Sequence, residues 1–419
     1  MTGSRAIAAL GAACVLPRLA ALLVERGDIL TEFTEKSDDF ARTFVDSGTY
    51  GFVADVPSAY TQPLYGFFLI PLYALDGRHW LVVGLAQIAL ALVTALLVYR
   101  IGLRVLSPAA ALVAAIVTTL NPYLVWHDVH VNREIVDQVL AAALVLLALR
   151  VADRPTLLGG GALGAVAGLA VLGNSRLLLL PLVLLPYLAW RVRPRSALLV
   201  PGTALVVGMA VAIAPWAIRN RVEVGCFAIT TDARALWKAN NPLTDDVLEA
   251  GRWIDAVPPI PGAPPTPQEA AEAFVRNGTD PRVDECAQMR FYQHRVVDFW
   301  RDHPGEKAEL AARGAAMLWT PGVTRTEGNP GAGDWLDTIR LWPTGIWFTL
   351  LFVLAVVGIR LAERRFLALA LALLAYQTGF ALLFIGATRY RAPWDFLLAL
   401  LAAPVIVELA RRWRARTAS

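Results

Sequence analysis

Residues 80–100 read WLVVGLAQIALALVTALLVYR, and none of the twenty positions before Arg100 carries a charge. An α-helix needs about 20 apolar residues to cross the hydrocarbon core of a bilayer, so this stretch alone is long enough to span a membrane. The whole chain has the same character: 57% of its 419 residues are hydrophobic and 17% are charged, against about 25% charged in soluble domains. The sequence therefore predicts an all-α integral membrane protein.

Nine more apolar runs predict further spans, which gives a polytopic protein with about ten transmembrane helices. The first run has the length of a signal peptide or an anchor; we expect a retained anchor, because no cleavage site of small residues follows it. Residues 63–75 are interrupted by Pro71 and are too short for a span, so they predict an interfacial or re-entrant helix. The nine runs lie at 6–24, 109–126, 135–151, 157–173, 176–190, 196–216, 342–360, 366–386 and 393–410.

These runs divide the chain into three parts. Residues 1–216 form an N-terminal transmembrane module of seven spans, whose first outer loop covers 25–79 and carries an acidic pair. Residues 217–340 form a small polar insertion, and 341–419 form a C-terminal module of three spans with a basic tail. In the first outer loop, Phe40 and Phe44 are four residues apart, which predicts a short helix lying on the membrane surface.

The arginines predict the orientation. With ten spans and a cytoplasmic N-terminus, 15 arginines lie on the cytoplasmic side and four in short outer connections, as expected from the positive-inside rule. We therefore expect a multi-pass plasma-membrane protein with both termini cytoplasmic and with the first loop and the insertion outside. The net charge of +4 comes without a basic stripe interleaved with aromatic residues, so no nucleic acid partner is expected. The outer arginines are Arg133, Arg176, Arg389 and Arg391.

Cysteine usage is sparse. Cys14 lies in the first apolar run, whereas Cys226 and Cys286 both fall in the insertion. The pattern lacks the spacing of a zinc or redox site. A Cys226–Cys286 disulfide is compatible with an extracytoplasmic insertion, and the sequence leaves that pairing open.

Several polar groups could carry chemistry, and each also has an ordinary interpretation. Asp38 and Asp39 are either a solvated loop feature or a catalytic pair facing a cavity. Arg389 and Arg391 match the geometry of a phosphate, but they also suit snorkelling at the interface; Tyr390 between them is a candidate for sugar or acceptor contact.

The second outer connection is dense in polar residues. His127, Asp128, His130 and Glu134 could together hold a divalent metal ion, whereas Glu134 at the start of a span also suits a helix N-terminus. In the insertion, Trp237 beside Asn240 and Asn241 could stack on and hydrogen-bond a sugar or acceptor, but Asn-Asn-Pro is also a turn signal.

Nucleotide-binding signatures are absent from the sequence. There is no G-x-x-x-x-G-K-[ST] motif, and the run Gly159-Gly160-Gly161 opens an apolar segment without a preceding strand. This run predicts close helix packing and not a phosphate-binding loop.

The order of short motifs resembles that of the C-type (GT-C) membrane glycosyltransferases, which include protein mannosyltransferases and the aminoarabinose transferases that act on lipid A. The resemblance covers most of the chain and rests on order and topology, since no single motif is strong. The motifs are the acidic pair, Gln62-Pro63-Leu64-Tyr65, Arg133-Glu134, Pro215-Trp216-x-x-Arg219-Asn220, Asn240-Asn241-Pro242 and Arg389-Tyr390-Arg391-x-Pro393.

The resemblance implies an inverting glycosyltransferase of the cell envelope. Its donor would be a sugar linked to a polyprenyl phosphate, a lipid of the membrane. The enzyme would need no nucleotide cofactor, and it could use a divalent metal ion. Asp38 or Asp39 would activate an acceptor hydroxyl, and Arg389, Arg391 and Arg219 would hold the leaving phosphate. The acceptor stays open between a protein, a glycolipid and a polysaccharide.

The sequence departs from the family in one catalytic detail: the family often has Asp followed by Glu, whereas this chain has Asp38-Asp39, so the catalytic carboxylate is not assigned. Two other classes stay open, a transporter or flippase of a lipid-linked sugar and a non-catalytic envelope assembly protein. Against the transporter, the charges gather at the outer ends of spans and no repeat relates the two halves.

Overall fold

The computed structural model describes residues 3–31, 34–323 and 335–417, with side chains omitted for 335–341. Its regular elements are α-helices and short 3-10 turns; the one β-type pairing among these residues is an isolated bridge between Val53 and Val56. The helices are α1 Gly3–Val24, α2 Lys36–Ser47, α3 Pro63–Asp76, α4 Trp80–Val105, α5 Pro108–Thr119, α6 Pro122–His127, α7 Glu134–Asp153, α8 Leu157–Gly173, α9 Pro181–Arg191, α10 Leu199–Glu223, α11 Ala233–Lys238, α12 Thr244–Glu249, α13 Pro267–Asn277, α14 Glu285–Asp302, α15 Pro304–Trp319, α16 Trp335–Gly358, α17 Arg364–Leu383, α18 Thr388–Arg391 and α19 Phe396–Thr417.

The predicted fold class is confirmed, with a correction to individual spans. Within the described residues, six helices are long and apolar enough to cross a bilayer, and a seventh results if α18 and α19, bent by 56°, form one span. The other three predicted spans contain the helices α5, α8 and α9, of 12, 17 and 11 residues. The predicted span 109–126 breaks at Asn121-Pro122, because proline lacks the amide proton and disfavours helical geometry in the residue before it.

Side-chain caps explain where several of these helices begin. The side chains of Ser107, Asn121 and Thr156 accept hydrogen bonds from backbone amides in the first turns of α5, α6 and α8. Such caps satisfy amides that have no partner within the helix, and proline at the first helical position needs no such partner. The sequence therefore sets these helix starts locally.

The ends of α7 mark two faces of the helical bundle. At its end, Asp153 accepts from Arg104 of α4 at 3.0 Å and also pairs with Arg365 of α17. At its start, Glu134 pairs with Arg389, which lies beyond the far end of α17. A helix of this length is about 30 Å long, so the two charge clusters lie at opposite ends of the bundle.

Glycines allow α8 and α10 to pack closely. A methyl group added at Gly160 would overlap with the backbone of Pro201, and one added at Gly164 would overlap with that of Leu205. Small residues at such crossings are the usual means by which membrane helices approach each other. The predicted packing role of the run Gly159-Gly160-Gly161 is therefore confirmed for Gly160.

The helix α2 forms where a short surface helix was predicted, but Phe40 faces the interior of the protein. Phe40 is fully buried, with its ring 5.0 Å from that of Tyr50 and 4.7 Å from that of Phe52. Phe44 is partly exposed, and α3 is a 14-residue helix shorter than a span, as expected. The aromatic cluster explains the difference, because it offers Phe40 a buried site inside the first loop.

The insertion contains α11 to α15 and the disulfide Cys226–Cys286. Its predicted start at residue 217 falls inside α10, which continues to Glu223. At its other end α15 packs against the bundle, where Gly314 and Gly386 bring their backbones together. Part of the predicted insertion, 324–334, lies outside the described residues, and the division into three domains stays a prediction.

Candidate functional site

The centre of the candidate site is the side chain of Arg389 in α18. Its Nε donates to Glu134 Oε1 at 2.7 Å, and its terminal nitrogen pairs with Glu35, the residue before α2. These three side chains come from the first loop, the start of α7 and the bend before α19. The contacts therefore join three distant parts of the chain at one face of the bundle.

Two further arginines lie in the same cluster, within electrostatic range of Arg389. Arg133 donates to Gln62 Oε1 at 2.9 Å, and Arg176 donates to Asn174 Oδ1 at 2.9 Å with its guanidinium 3.5 Å from the centre of the Tyr390 ring. Among the described residues neither forms an ion pair with a carboxylate, whereas Arg389 forms two.

A buried donor in this cluster lacks a partner. Among the residues that the structure describes, none accepts a hydrogen bond from the buried Nε of Arg133. The buried Oε2 of Glu134 and Oδ1 of Asp137 are likewise without a hydrogen bond there. Leaving such groups unpaired costs about 1–3 kcal/mol each, which favours a site that is occupied by water or a ligand.

Asp38 lies close to this cluster and is held firmly. Its carboxylate accepts from the Tyr73 hydroxyl at 2.6 Å and from Arg78 at 2.9 and 2.7 Å, and it is buried. Its amide donates to the carbonyl of Glu35, so the residue that binds Arg389 is one helical turn from Asp38. The carboxylate of Asp38 is therefore fixed in orientation near the arginines.

Asp39 has a different environment. Its side chain is 53% exposed, and its closest cation is Arg42 at 3.7 Å. Loss of water on the protein side and the neighbouring Asp38 carboxylate raise the pKa of Asp39 above its ordinary value. Of the two adjacent carboxylates, Asp39 is thus the more accessible and Asp38 the more rigid.

The other two candidate arginines are used inside the protein. Arg391 is buried, donates to the carbonyls of Leu318 and Thr320, and pairs with Asp395 at 3.2 Å. Arg219 donates to the carbonyls of Ser58 and Tyr50 at 2.8 and 3.1 Å, which anchors the first loop. The phosphate-binding role predicted for Arg389, Arg391 and Arg219 stays a prediction. In the structure, Arg133 and Arg176 lie near Arg389, while Arg391 and Arg219 donate to neighbouring backbone carbonyls.

The predicted sugar-binding residues of the insertion also have internal partners. Asn240 accepts from Trp300 Nε1 at 2.8 Å and donates to two backbone carbonyls, while Asn241 caps a turn. Trp237 is buried against Tyr292. The side-chain polar atoms of the two asparagines are already bonded within the protein, so they stabilise the insertion. Tyr390, by contrast, lies under Arg176 within the cluster.

The four predicted metal ligands do not converge, and the prediction that they form a metal site is corrected. Asp128 pairs with Arg18 at 2.6 Å, Glu134 pairs with Arg389, and His130 contacts Glu25 at 3.3 Å. His127 stacks on Tyr123. Among the described residues no group of three or more His, Cys, Asp or Glu side chains is arranged to hold a metal ion.

Some residues of the cluster carry a signal in the sequence and others do not. In the predicted orientation Arg133 and Arg176 fall on the side where arginine is disfavoured, so the positive-inside rule already singled them out. A buried arginine in the first span, Arg18, was an equally visible signal, because charges inside a span need partners. No pattern in the sequence indicated Glu35 or Arg78.

Parts of this chain are similar to known proteins. The family described as "Dolichyl-phosphate-mannose-protein mannosyltransferase" matches residues 55–218. No curated protein matches the chain.

Solved structures give further similarities. The archaeal oligosaccharyltransferase AglB from Archaeoglobus fulgidus, in complex with an inhibitory peptide and a dolichol-phosphate, matches with a TM-score of 0.53 and 14% identity, over 98% of this chain and 51% of that one. Its apo form matches with a TM-score of 0.53 and 13% identity, over 98% and 52%. ArnT from Cupriavidus metallidurans bound to undecaprenyl phosphate has a TM-score of 0.42 and 16% identity, over 93% and 76%.

The chain therefore has the fold of the C-type (GT-C) membrane glycosyltransferases, and the resemblance seen in the sequence is confirmed. More narrowly, the part that contains α3 to α9 and most of α10 matches the mannosyltransferase family named above. The chain spans about half the length of the archaeal oligosaccharyltransferase that it matches.

Proposed function

We propose that this protein is a glycosyltransferase that moves a sugar from a polyprenyl-phosphate donor to an acceptor hydroxyl. The supporting observation is that the Arg389–Glu35 ion pair brings the arginine cluster to the helix that carries Asp38 and Asp39. Cations for a leaving phosphate and carboxylates for an acceptor proton are the two needs of this reaction.

The donor phosphate would lie against Arg133, Arg176 and Arg389. A sugar phosphodiester carries one negative charge, and guanidinium groups match its oxygens in pairs. Arg133 and Arg176 are available because no described carboxylate pairs with either of them. Their charge would stabilise the phosphate most strongly as it leaves, when its own negative charge increases.

The acceptor would approach from the side of Asp39. Its oxygen attacks the anomeric carbon from the face opposite the phosphate, the bond from that carbon to the phosphate oxygen breaks, and the configuration inverts. The acceptor proton passes to Asp39, whose raised pKa makes it a better base than an ordinary aspartate. The carboxylate of Asp38, fixed by Tyr73 and Arg78, positions this part of α2.

The site would face the outside of the plasma membrane, with both termini cytoplasmic. The excess of arginines at the opposite ends of the spans supports this orientation. The Cys226–Cys286 disulfide in the insertion supports it as well, because disulfides persist in oxidising compartments.

A direct test is to incubate the purified protein with a panel of radiolabelled polyprenyl-phosphate sugars and membranes. We expect one label to move to an acceptor in the wild type and not in Asp39→Asn. In sealed vesicles, a transporter would instead carry the lipid-linked label across the bilayer without forming a new product. Failure of every donor to transfer its sugar would contradict the proposal.

A further inference from the structure

A cavity of about 220 Å³ lies outside the arginine cluster, between the first loop and the insertion. Its walls come from residues 52–58, from the last turn of α10 with Val224, and from Pro267 and 281–285 at the start of α14. The Cys226–Cys286 disulfide ties two of these walls together, since it follows Val224 by two residues and Glu285 by one. The cavity is therefore built from segments that are cross-linked to each other.

The lining of this cavity carries an excess of negative charge. Asp55 and Glu223 contribute two exposed carboxylates and Arg282 contributes one guanidinium, whereas the carboxylate of the buried Glu285 accepts from the Thr231 hydroxyl at 2.6 Å and from the Ala59 amide at 3.0 Å. The carboxylate nearest to Arg282 is Asp280 at 3.9 Å, which does not line the cavity. Charges of one sign that line a concave surface attract the opposite charge, so the cavity favours a cation.

The remaining walls suit the carbon chain of a long cationic side chain. Phe52 offers an aromatic ring, and Pro57 and Pro281 offer flat apolar surfaces. A cation over an aromatic face gains about 0.5–1 kcal/mol at an exposed site. The volume is smaller than the roughly 300–1,000 Å³ of a pocket for a whole ligand, so it has room for one side chain.

The cavity is close to the candidate base. Its wall residue Phe52 packs against Phe40, which follows Asp39, with ring centres 4.7 Å apart. The hydroxyl of Thr43 donates to the Phe52 carbonyl at 3.4 Å, and Thr43 is four residues after Asp39 on α2. Residues four apart share one helix face, so Asp39 and the cavity are separated by about one helical turn.

We propose that this cavity is an acceptor subsite that binds a lysine or arginine side chain of a peptide acceptor and so presents a nearby hydroxyl to Asp39. The inference rests on the proposed transferase function and specifies its substrate. A peptide fits better than a lipid headgroup. The only wall residue of the membrane-spanning helix α10 that lines the cavity is Glu223 in its last turn, and the other walls belong to the first loop and the insertion.

The test uses the full-length purified protein and a fluorescein-labelled pentapeptide with two lysines and one serine. We expect saturable binding by fluorescence anisotropy, and no binding of a matched peptide with two glutamates. Asp55→Asn and Glu223→Gln should each weaken binding by about 5-fold, the scale of one exposed ion pair. Arg282→Ala should strengthen it, because a like charge is removed, whereas a merely structural role of Arg282 predicts the opposite.

The matched control is Asp46→Asn, an exposed carboxylate on the same helix α2 that does not line the cavity. Equal binding of the glutamate peptide, or wild-type affinity in both Asp55→Asn and Glu223→Gln, would overturn the subsite. A lipid headgroup in place of a peptide would also overturn the subsite. It would be indicated if vesicles of phosphatidylethanolamine in phosphatidylcholine displaced the lysine peptide and vesicles of phosphatidylcholine alone did not. Binding of undecaprenyl phosphate, measured on the same variants, should stay at wild-type strength. If the wild-type protein binds the lysine peptide as expected but transfers no sugar, that result refutes the transferase function and leaves the subsite standing.

Discussion

Glu35 and Arg389 form an ion pair although 354 positions separate them in the chain. Glu35 immediately precedes α2, which carries Asp38 and Asp39, and Arg389 opens the segment before α19. This pair fixes the geometry between carboxylates and arginines on which the proposed chemistry depends.

Replacing Arg176 with alanine should raise the donor KM by about 10- to 100-fold, the value of one hydrogen bond to a charged group. Arg176 has no carboxylate partner among the described residues, so its loss should leave the thermal midpoint nearly unchanged. Initial rates at varied donor concentration provide the measurement. Arg252→Ala, an exposed arginine of the insertion, is the control, and an unaltered donor KM in Arg176→Ala would count against the phosphate site.

Replacing Glu35 with glutamine should strengthen donor binding. The variant keeps the shape of the side chain but removes the carboxylate that competes with a phosphate for Arg389. We expect a several-fold lower dissociation constant for undecaprenyl phosphate, measured by tryptophan fluorescence or calorimetry. Weaker binding would mean that Glu35 chiefly positions Arg389 and does not compete with the donor.

The two aspartates should differ when each becomes asparagine. Asp39→Asn should lower kcat by at least about 100-fold, as expected for loss of a general base, with a normal thermal midpoint because the side chain is exposed. Asp38→Asn should also lose transfer, and should lose about 1.5–3 kcal/mol of stability because Arg78 and Tyr73 lose a charged partner. Assays combined with thermal unfolding separate the two effects, and normal transfer in both variants would remove the carboxylates from the mechanism.

The pH profile should report the carboxylate of Asp39. A general base acts only when it has lost its proton, so kcat should fall as the pH drops through the pKa of Asp39. Because reduced hydration and Asp38 raise that pKa, the fall should begin at a higher pH than for an ordinary aspartate. Plots of log kcat against pH check this, with Arg252→Ala expected to superimpose on the wild type.

Thiol counting should reveal the disulfide. After denaturation without reductant, only Cys14 should react with a thiol reagent, and after reduction all three cysteines should react. Loss of this cross-link should reduce stability by about 2–4 kcal/mol. Mobility after alkylation with a polyethylene-glycol maleimide gives the count, and three reactive thiols without reductant would refute the pairing.

Part of the fold follows from local sequence. The twenty uncharged positions before Arg100 required a membrane helix, and the caps at Ser107, Asn121 and Thr156 set the starts of three helices. The prediction was wrong for three spans, whose helices α5, α8 and α9 are short; in the predicted span 109–126 the apolar run is interrupted at Asn121-Pro122, where proline prevents one continuous helix.

The candidate site was only partly predictable. The sequence predicted a phosphate site of Arg389, Arg391 and Arg219, whereas the arginines that lie near Arg389 in the structure are Arg133 and Arg176. Arginine at the outer end of a span looks the same in sequence whether it faces a polar cluster or donates to nearby carbonyls. Only the packing of α15 beside α18 shows that Arg391 is used by Leu318 and Thr320.

The sequence by itself determined that this protein resides in a membrane and where most of its helices lie in the chain. These properties depend on hydrophobicity and charge bias summed over neighbouring residues. The tertiary structure decided which charges meet: Glu35 with Arg389, Asp38 with Arg78, and Asp128 with Arg18. Such pairs are set by the way helices pack across tens to hundreds of positions, because a buried charge is stable only where that packing supplies its partner.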